Sequence, residues 1–480
     1  MDPSPNRWLS NPAKEGSPER IRSMAQCIRF EIECKVAVVL PTDGVSADEL
    51  VLGLMKARDE LGTRMVSATI EGIQAYLLER TRLPKAAAVH ECWSAESAES
   101  CTHTTFVKQG TRKKKRELRT PLGTISFALH YVGCRQCGTK YAPILNFLNI
   151  ADRQRHLTSL EKVVAEVVSL ETYGKAEGMI QASTTERVPD ATMHDWIADV
   201  DWDGLQLGRY RRARTVMTDG TGFKKRGPAR GDLRVLIGLD GKNKPFAMGV
   251  WAGKSWSEIG PDVRERIEGH VQSSLFVHDG EVGISEHLAG IAAREARCRW
   301  HMPRGQTYAL WGDEVPKEER DKYAGRLRGI LGIEIPVDDW QELKPADLEP
   351  LREELQRAKE RYRELTEEFG RRGYARAHEY LSGAVGHVFT QVETWLDTGI
   401  VLPGTTTVLE RIMRDLGRRL KKLGYGWSDE GLIRIATILL KKRHEPEDWD
   451  RYWNEQMRIT GLCTAAVCAV SIGRPSIVRR

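Results

Sequence analysis

Two short segments rich in strand-forming residues each run into an aspartate followed by glycine: TVMTDGTGFKKRG (215–227), which carries Asp219, and LFVHDGE (275–281), which carries Asp279. A glutamate, Glu410, stands in the basic amphipathic segment TTTVLERIMRDLGRRLKKLG (405–424). Asp279 follows Asp219 by about sixty residues, room for two strands and a helix, and Glu410 comes about 130 residues later. Two aspartates at neighbouring strand ends, joined by a glutamate from a later helix, make a hard oxygen-donor set. Such a set suits two divalent cations in phosphoryl transfer, one activating the attacking oxygen and the other stabilising the leaving one.

Other acids compete for these roles. Asp240 sits in an Asp-Gly turn sequence and reads as hairpin chemistry, and Glu281 reads as a solvated loop residue. Glu393, Asp397 and Asp415 are the nearest rivals of Glu410, and His278 reads as structural beside Asp279. On a helix, Arg414, Gly417 and Lys421 follow Glu410 at i+4, i+7 and i+11, so a carboxylate and two cations face one way, as a metal ligand beside a phosphate track requires. The plainer alternative is a surface helix with a Glu410–Arg414 salt bridge. Positive charge is bunched in TRKKKR (111–116), RYRRAR (209–214), FKKRGPAR (223–230) and RRLKK (418–422) within a net charge of only +6, a distribution that suits a polyanionic partner.

The elements that must position these residues follow from periodicity. Residues 47–82 space apolar side chains as one or two amphipathic helices. TISFALHYV leads into Cys134 and Cys137, a CxxC-Gly that is half of a zinc ribbon. His90, Cys92, Cys101 and His103 are not at ribbon spacing, so the alternatives are a structural Zn²⁺ and a degenerate ribbon that has lost its metal. Residues 158–200 read as helix, helix, short turn and helix, a helix-turn-helix pattern whose last helix, opened by the cap candidate Asp190, carries Thr192, His194 and Trp196. From about 213 the order becomes three strands, helix, strand, helix and a short strand in RCRWHM, a mixed sheet with helices on its faces. Residues 313–383 read as a highly charged helical region.

From Thr215 to about Leu440 the chain resembles bacterial insertion-sequence transposases of the Mutator-related branch, with a DDE triad on an RNase H-like core. The resemblance rests on TVMTDGTGFK, LFVHDGE, the CxxH of CRWHM (Cys298, His301), the helical insertion and VLERIMRDLGRRLKKLGYGWSDEGL. It implies an α/β fold in which Asp219, Asp279 and Glu410 hold two Mg²⁺ or Mn²⁺ ions, with Cys298 and His301 beside them in a structural or DNA-positioning role. It further implies DNA as partner, both transposon inverted-repeat ends and target. Thr192, His194 and Trp196 would read the ends, Lys224, Lys225, Arg226, Arg414, Arg418 and Lys421 would hold phosphates, and Gly220 and Gly222 would turn the backbone sharply beside the metals. A homodimer or higher oligomer is expected. The rivals are a transposase-derived DNA-binding regulator that no longer cuts, and a metal-dependent nuclease or resolvase on the same fold.

The implied organisation is a polar, partly disordered lead-in (1–42), amino-terminal helices (43–89), a zinc-ribbon-like β region (90–150) and a helix-turn-helix domain (151–210). The core follows in two parts (211–312 and 391–480) around a helical insertion (313–390). No apolar run of about 18 residues, the length of a membrane span, occurs, and no secretory leader is evident. Nine cysteines at irregular spacing suit a reducing compartment, and a cytoplasmic, nucleoid-associated bacterial protein is expected.

Overall fold

The computed structural model describes residues 29, 31–32, 36–39, 45–80, 92–93, 100–101, 106–112, 114–135, 140–202, 205, 212–226, 230–268, 275–335, 343–423 and 426–459. Most of the expected lead-in, His90, His103, Cys137, Gly424 and the first half of RYRRAR lie outside these residues. The chain forms two compact units, residues 1–157 with 454–480, and residues 158–453. Among the described residues no helix is long and apolar enough to cross a membrane.

The first unit is built on one continuous helix, α1 (Ala47–Arg80), where the spacing allowed one or two. Strands β1 (Cys92–Trp93) and β2 (Ser100–Cys101) pair with Cys92 opposite Cys101. They precede β3 (Phe106–Thr111), β4 (Arg116–Thr120), β5 (Gly123–Phe127), β6 (His130–Cys134), β7 (Lys140–Tyr141) and α2 (Pro143–Phe147). Ile70, Ile73 and Leu77 fall on one face of α1 and are buried with Leu118, Ile125 and Phe127 of the β4–β5 hairpin and Ile144 of α2. TISFALHYV is not one strand: it breaks between β5 and β6, which join different sheets. Gln74 satisfies the backbone at that break, donating to the Ala128 carbonyl (2.8 Å) and accepting from the His130 N–H (3.3 Å).

The second unit opens with three helices, α3 (Thr158–Val168), α4 (Tyr173–Thr184) and α5 (Asp190–Ala198), and continues into a five-stranded sheet. Its strands are β8 (Thr215–Lys224), β9 (Arg230–Leu239), β10 (Pro245–Ala252), β11 (Leu275–His278) and β12 (Glu295–Arg297), in the spatial order β10-β9-β8-β11-β12. The first three are antiparallel; β11 is parallel to both β8 and β12. Helices α6 (Trp256–Glu268) and α7 (Ile284–Leu288) cover one face, packing Trp256, Ile259, Val263, Ile284 and Leu288 on Val216, Leu236, Met248 and Phe276. Because side chains alternate along a strand, Met217 and Asp219 point to the opposite face from Val216.

Helices α8 (His301–Gly312), α9 (Lys317–Leu331), α10 (Pro345–Arg372) and α11 (Ala375–Ala384) follow β12, and α12 (Thr390–Thr398) and α13 (Thr407–Gly417) lead back to the sheet. A five-residue π-helix (Arg418–Lys422), α14 (Asp429–His444) and α15 (Pro446–Gln456) complete the described chain. In α10 the charged sequence hides one apolar seam, with Leu351, Leu355, Ala358, Tyr362, Leu365 and Phe369 buried.

Three expectations are corrected. β8 does not end at Asp219: it stays paired with β9 as far as Lys224 opposite Arg230, so Gly220 and Gly222 lie in extended strand and make no sharp turn. RCRWHM is not a strand, since β12 stops at Arg297 and α8 begins at His301. In SEHLAGIAAREA the helix is only Ile284–Leu288, and Glu295–Arg297 become strand.

Helix α14 is held to β10 by buried charge. Lys441 donates to Glu445 (2.8 Å), both nearly inaccessible, and the other Glu445 oxygen accepts the Ala247 N–H (3.2 Å). Removing one partner strands the other charge in the interior, so Lys441→Met is expected to lower unfolding stability by ~3–5 kcal/mol in denaturant titration. An unchanged midpoint would contradict this role.

Candidate active site

Parallel pairing of β8 with β11 sets the site. Val277 lies opposite Met217 and His278 opposite Thr218, so the positions that follow, Asp279 just past the end of β11 and Asp219 within β8, come side by side. Each aspartate is steadied by a local backbone donor: the Gly220 N–H to Asp219 (2.7 Å) and the Glu281 N–H to Asp279 (2.9 Å). The missing Gly220 side chain admits Glu281, whose Oε2 would stand 3.0 Å from a Cβ there. Glu281 itself is paired with Arg234 (3.1 Å).

Beneath Asp279, His278 is fully buried. Its Nδ1 accepts the Gly280 N–H (3.1 Å), which fixes the proton on Nε2, where it is donated to Glu295 (2.9 Å). Burial works against the Glu295 charge, but the bonds from His278 and Ser285 bring its pKa down to about 2. His278 is therefore a strut for the Asp279 loop. The loop requires glycine at position 280, where φ is +89° and a Cβ would overlap the Arg297 guanidinium.

Glu410 lies in the first turn of α13, favourable for an anion. The preceding Thr406 is wholly buried; its N–H and hydroxyl both lie 3.3 Å from Cys298 Sγ, and the hydroxyl is 3.4 Å from Glu410 Oε1. The Cys298 N–H donates to the His278 carbonyl (2.8 Å). Cys298 thus joins the end of β11 to the start of the glutamate helix. His301 completes the link, with Nδ1 3.3 Å from the Thr406 hydroxyl and Nε2 3.9 Å from Glu410. Burial opposes the His301 charge, yet Cys298, then Asp279 and Glu410, raise its pKa.

The three acids share one electrostatic environment. Burial, and after it the Asp279 carboxylate, push the Asp219 pKa up to about 7; Glu410 adds to the rise, while Gly220 and His301 oppose it. Excess negative charge on hard oxygen donors fits divalent cations. Among the described residues no group of three or more His, Cys, Asp or Glu side chains is gathered closely enough to grip an ion.

The rival acids are engaged elsewhere: Glu393 with Lys359 (2.7 Å), Asp397 with Arg294 (2.6 Å) and Asp415 with Arg443 (3.0 Å). Asp240 accepts the Lys242 and Lys244 N–H groups within its hairpin loop. Glu410 forms no ion pair with Arg414 among the described residues; its neighbours are Thr406 and His301.

The expected phosphate ligands divide. Lys224, Arg226 and Arg414 are exposed. Lys225 is half-buried and paired with Asp429 (2.8 Å), and the Trp427 backbone bonds to Lys224 and Arg226, so this end of β8 is a structural strap. Arg418 stands 3.6 Å from Asp415, and Lys421 bonds to Thr221, two residues past Asp219. On α5, Met193 and Ile197 are buried, Thr192 and Trp196 are half-buried and His194 is exposed. Pro189, not Asp190, is the N-cap. The helix exposes Asp190 and Asp195 and contains no Lys or Arg, so phosphate contacts for any groove reading must come from elsewhere. Cys134 is buried.

Two residues were not singled out from sequence. Thr406 is hidden in a Thr run, and Arg297 directly precedes the CxxH. Arg297 has no acidic partner among the described residues: it reaches only the Tyr380 hydroxyl (3.5 Å) and ring (5.6 Å), and its Nε is buried without a partner. An unpaired guanidinium is thus held against the Asp279 loop. No protein-family model and no curated protein matches the sequence.

A stability measurement tests the crowding of the acids. Unfolded Asp219 loses its proton near its ordinary value of 3.8, whereas the folded protein keeps it to about 7. Wild-type stability is therefore expected to fall across that window as pH rises. In chelator-treated buffer, Asp219→Asn should raise the unfolding midpoint progressively more from pH 4 to pH 8. A gain independent of pH would contradict the like-charge contact.

Proposed function

We propose that this protein is a DNA transposase of the insertion-sequence type, cutting phosphodiesters at transposon ends and joining the freed 3′ ends to target DNA. The observation that carries the proposal is the placement of Asp219, within β8, beside Asp279, just past the end of the adjacent parallel strand β11, with Glu410 within electrostatic reach of Asp219. Further support comes from the order three strands, helix, strand, helix, strand, the order expected of an RNase H-like core, and from the helical insertion between the second acid and the glutamate.

Asp219, Asp279 and Glu410 would hold Mg²⁺ or Mn²⁺. When bound, two such ions supply Lewis-acid activation of the attacking oxygen and stabilisation of the leaving one. The protein's own side chains do the rest. Cys298 and Thr406 fix the start of the glutamate helix relative to the Asp279 strand, and His301 holds a proton beside Glu410. Arg297, unpaired beside the Asp279 loop, is placed to neutralise a phosphate oxygen. Lys224, Arg226, Arg414 and Lys421 add the diffuse positive field that binds the duplex and makes affinity fall with salt. The first displacement uses water at the transposon end; the second uses the 3′-hydroxyl so released.

Asp219→Ala, Asp279→Ala and Glu410→Ala should each reduce Mg²⁺-dependent nicking of an end-bearing duplex to background while leaving duplex binding intact. Normal nicking by any of the three would remove it from the triad. Wild-type protein should also give 3′-end joined products. Cutting of branched DNA without joining would indicate a nuclease, and binding without nicking a regulator.

A further inference from the structure

Helix α8 begins at His301, beside Glu410, and its outward face is unusual for one exposed to water. Met302, Pro303, Gln306 and Leu310 are buried, while Arg304, Tyr308 and Trp311, with Trp300 just before the helix, lie at the surface. Spacings of four, four and three residues put these four side chains on one stripe. Trp300, Tyr308 and Trp311 are 54%, 60% and 66% exposed. From Trp300 to Gly312 there is no acid and no lysine, whereas outward helix faces ordinarily carry both. Arg304 is the one formal cation of the stripe and lies over the Tyr308 ring (5.8 Å). The stripe starts at the catalytic acids, for the Trp300 ring meets His301 edge-on at 4.9 Å and His301 stands 3.9 Å from Glu410. It extends for about 16 Å, eleven residues at ~1.5 Å rise each, the length of a few stacked nucleotides.

We propose that this stripe is a stacking platform for the bases of an unpaired DNA strand leading from the active site, an inference that rests on the DNA-cutting reading above. Flat aromatic faces open to solvent and interleaved with an arginine suit base stacking, which tolerates any sequence because every base has a π-face. A duplex buries those faces against neighbouring pairs, so the stripe favours unpaired nucleotides. The absence of carboxylates on the stripe removes the repulsion a DNA strand would otherwise meet. Its continuity with the acids places such a strand where cleavage leaves a free end.

The test uses the full-length protein in chelator, so that binding is separated from cutting, with a labelled oligothymidylate and a duplex of equal length as probes. Tyr308→Ala and Trp311→Ala should each weaken oligothymidylate binding roughly 5- to 140-fold, the range of one base–aromatic stack, and leave duplex affinity unchanged. Trp311→Phe, which keeps a ring, should restore most of the loss. Oligothymidylate should also quench tryptophan fluorescence in wild type, and less in Trp311→Phe. Wild-type oligothymidylate affinity in both alanine variants would overturn the platform while leaving the triad reading intact. So would a change of oligomeric state in sedimentation with DNA affinity unchanged, which would make the stripe a contact between copies of this chain. Failure of wild type to bind either probe would overturn the DNA reading and the platform together.

Discussion

Carboxylates repel one another, and the second unit holds Asp219 beside Asp279 with Glu410 within electrostatic reach. The repulsion is visible in Asp219, whose proton is retained to about pH 7 because of burial and the nearby Asp279 charge. What overcomes it is backbone geometry. The parallel ladder between β8 and β11 fixes two aspartates side by side, and ladder hydrogen bonds are indifferent to the charges they carry forward. The glutamate is brought in by different means, a cysteine sulfur that receives two bonds from the start of its helix and a histidine between sulfur and carboxylate. The CxxH is thus the joint between sheet and helix, and its position after β12 follows from that task.

Much of this was legible in the chain. Strand-forming residues interrupted by Asp-Gly announced the β9–β10 hairpin, and the alternation of strands and helices announced a mixed sheet. Glu410 is preferred over Glu393, Asp397 and Asp415 because an apolar TVL precedes it and a basic stripe follows, as the motif of the resembled family requires. Each of those three forms an ion pair with a residue remote in sequence or on a different helix, a fact no local pattern contains. The glycines after Asp219 were misleading for a related reason. Glycine serves equally in a turn and in a strand that must let another side chain pass, and only the pairing with β9, and at Gly220 the approach of Glu281, distinguishes the two. Arg297 was invisible because the signal is a missing partner, which exists only in three dimensions.

The helical insertion connects to the same constraint. Tyr380 of α11 carries the Arg297 guanidinium against the Asp279 loop, and α8 starts from the histidine that faces Glu410. The region that reads as charged, solvated helix therefore supplies the ring that holds Arg297, while the line of exposed rings lies just before it, on α8. The π-helix after α13 has a comparable double role. It buries Arg419, which bonds the Val168 carbonyl and stacks on Trp427, and so ties the glutamate helix to the three-helix bundle.

The central claim is that Asp219, Asp279 and Glu410 form one cation site. Iron-directed cleavage of the polypeptide tests it most directly: Fe²⁺ replaces Mg²⁺, and ascorbate with peroxide generates radicals that cut the backbone around the bound ion. Scission near all three residues together, suppressed by excess Mg²⁺, is the result expected. Cuts confined to one of the three segments, or a pattern that Mg²⁺ does not suppress, would contradict a shared site.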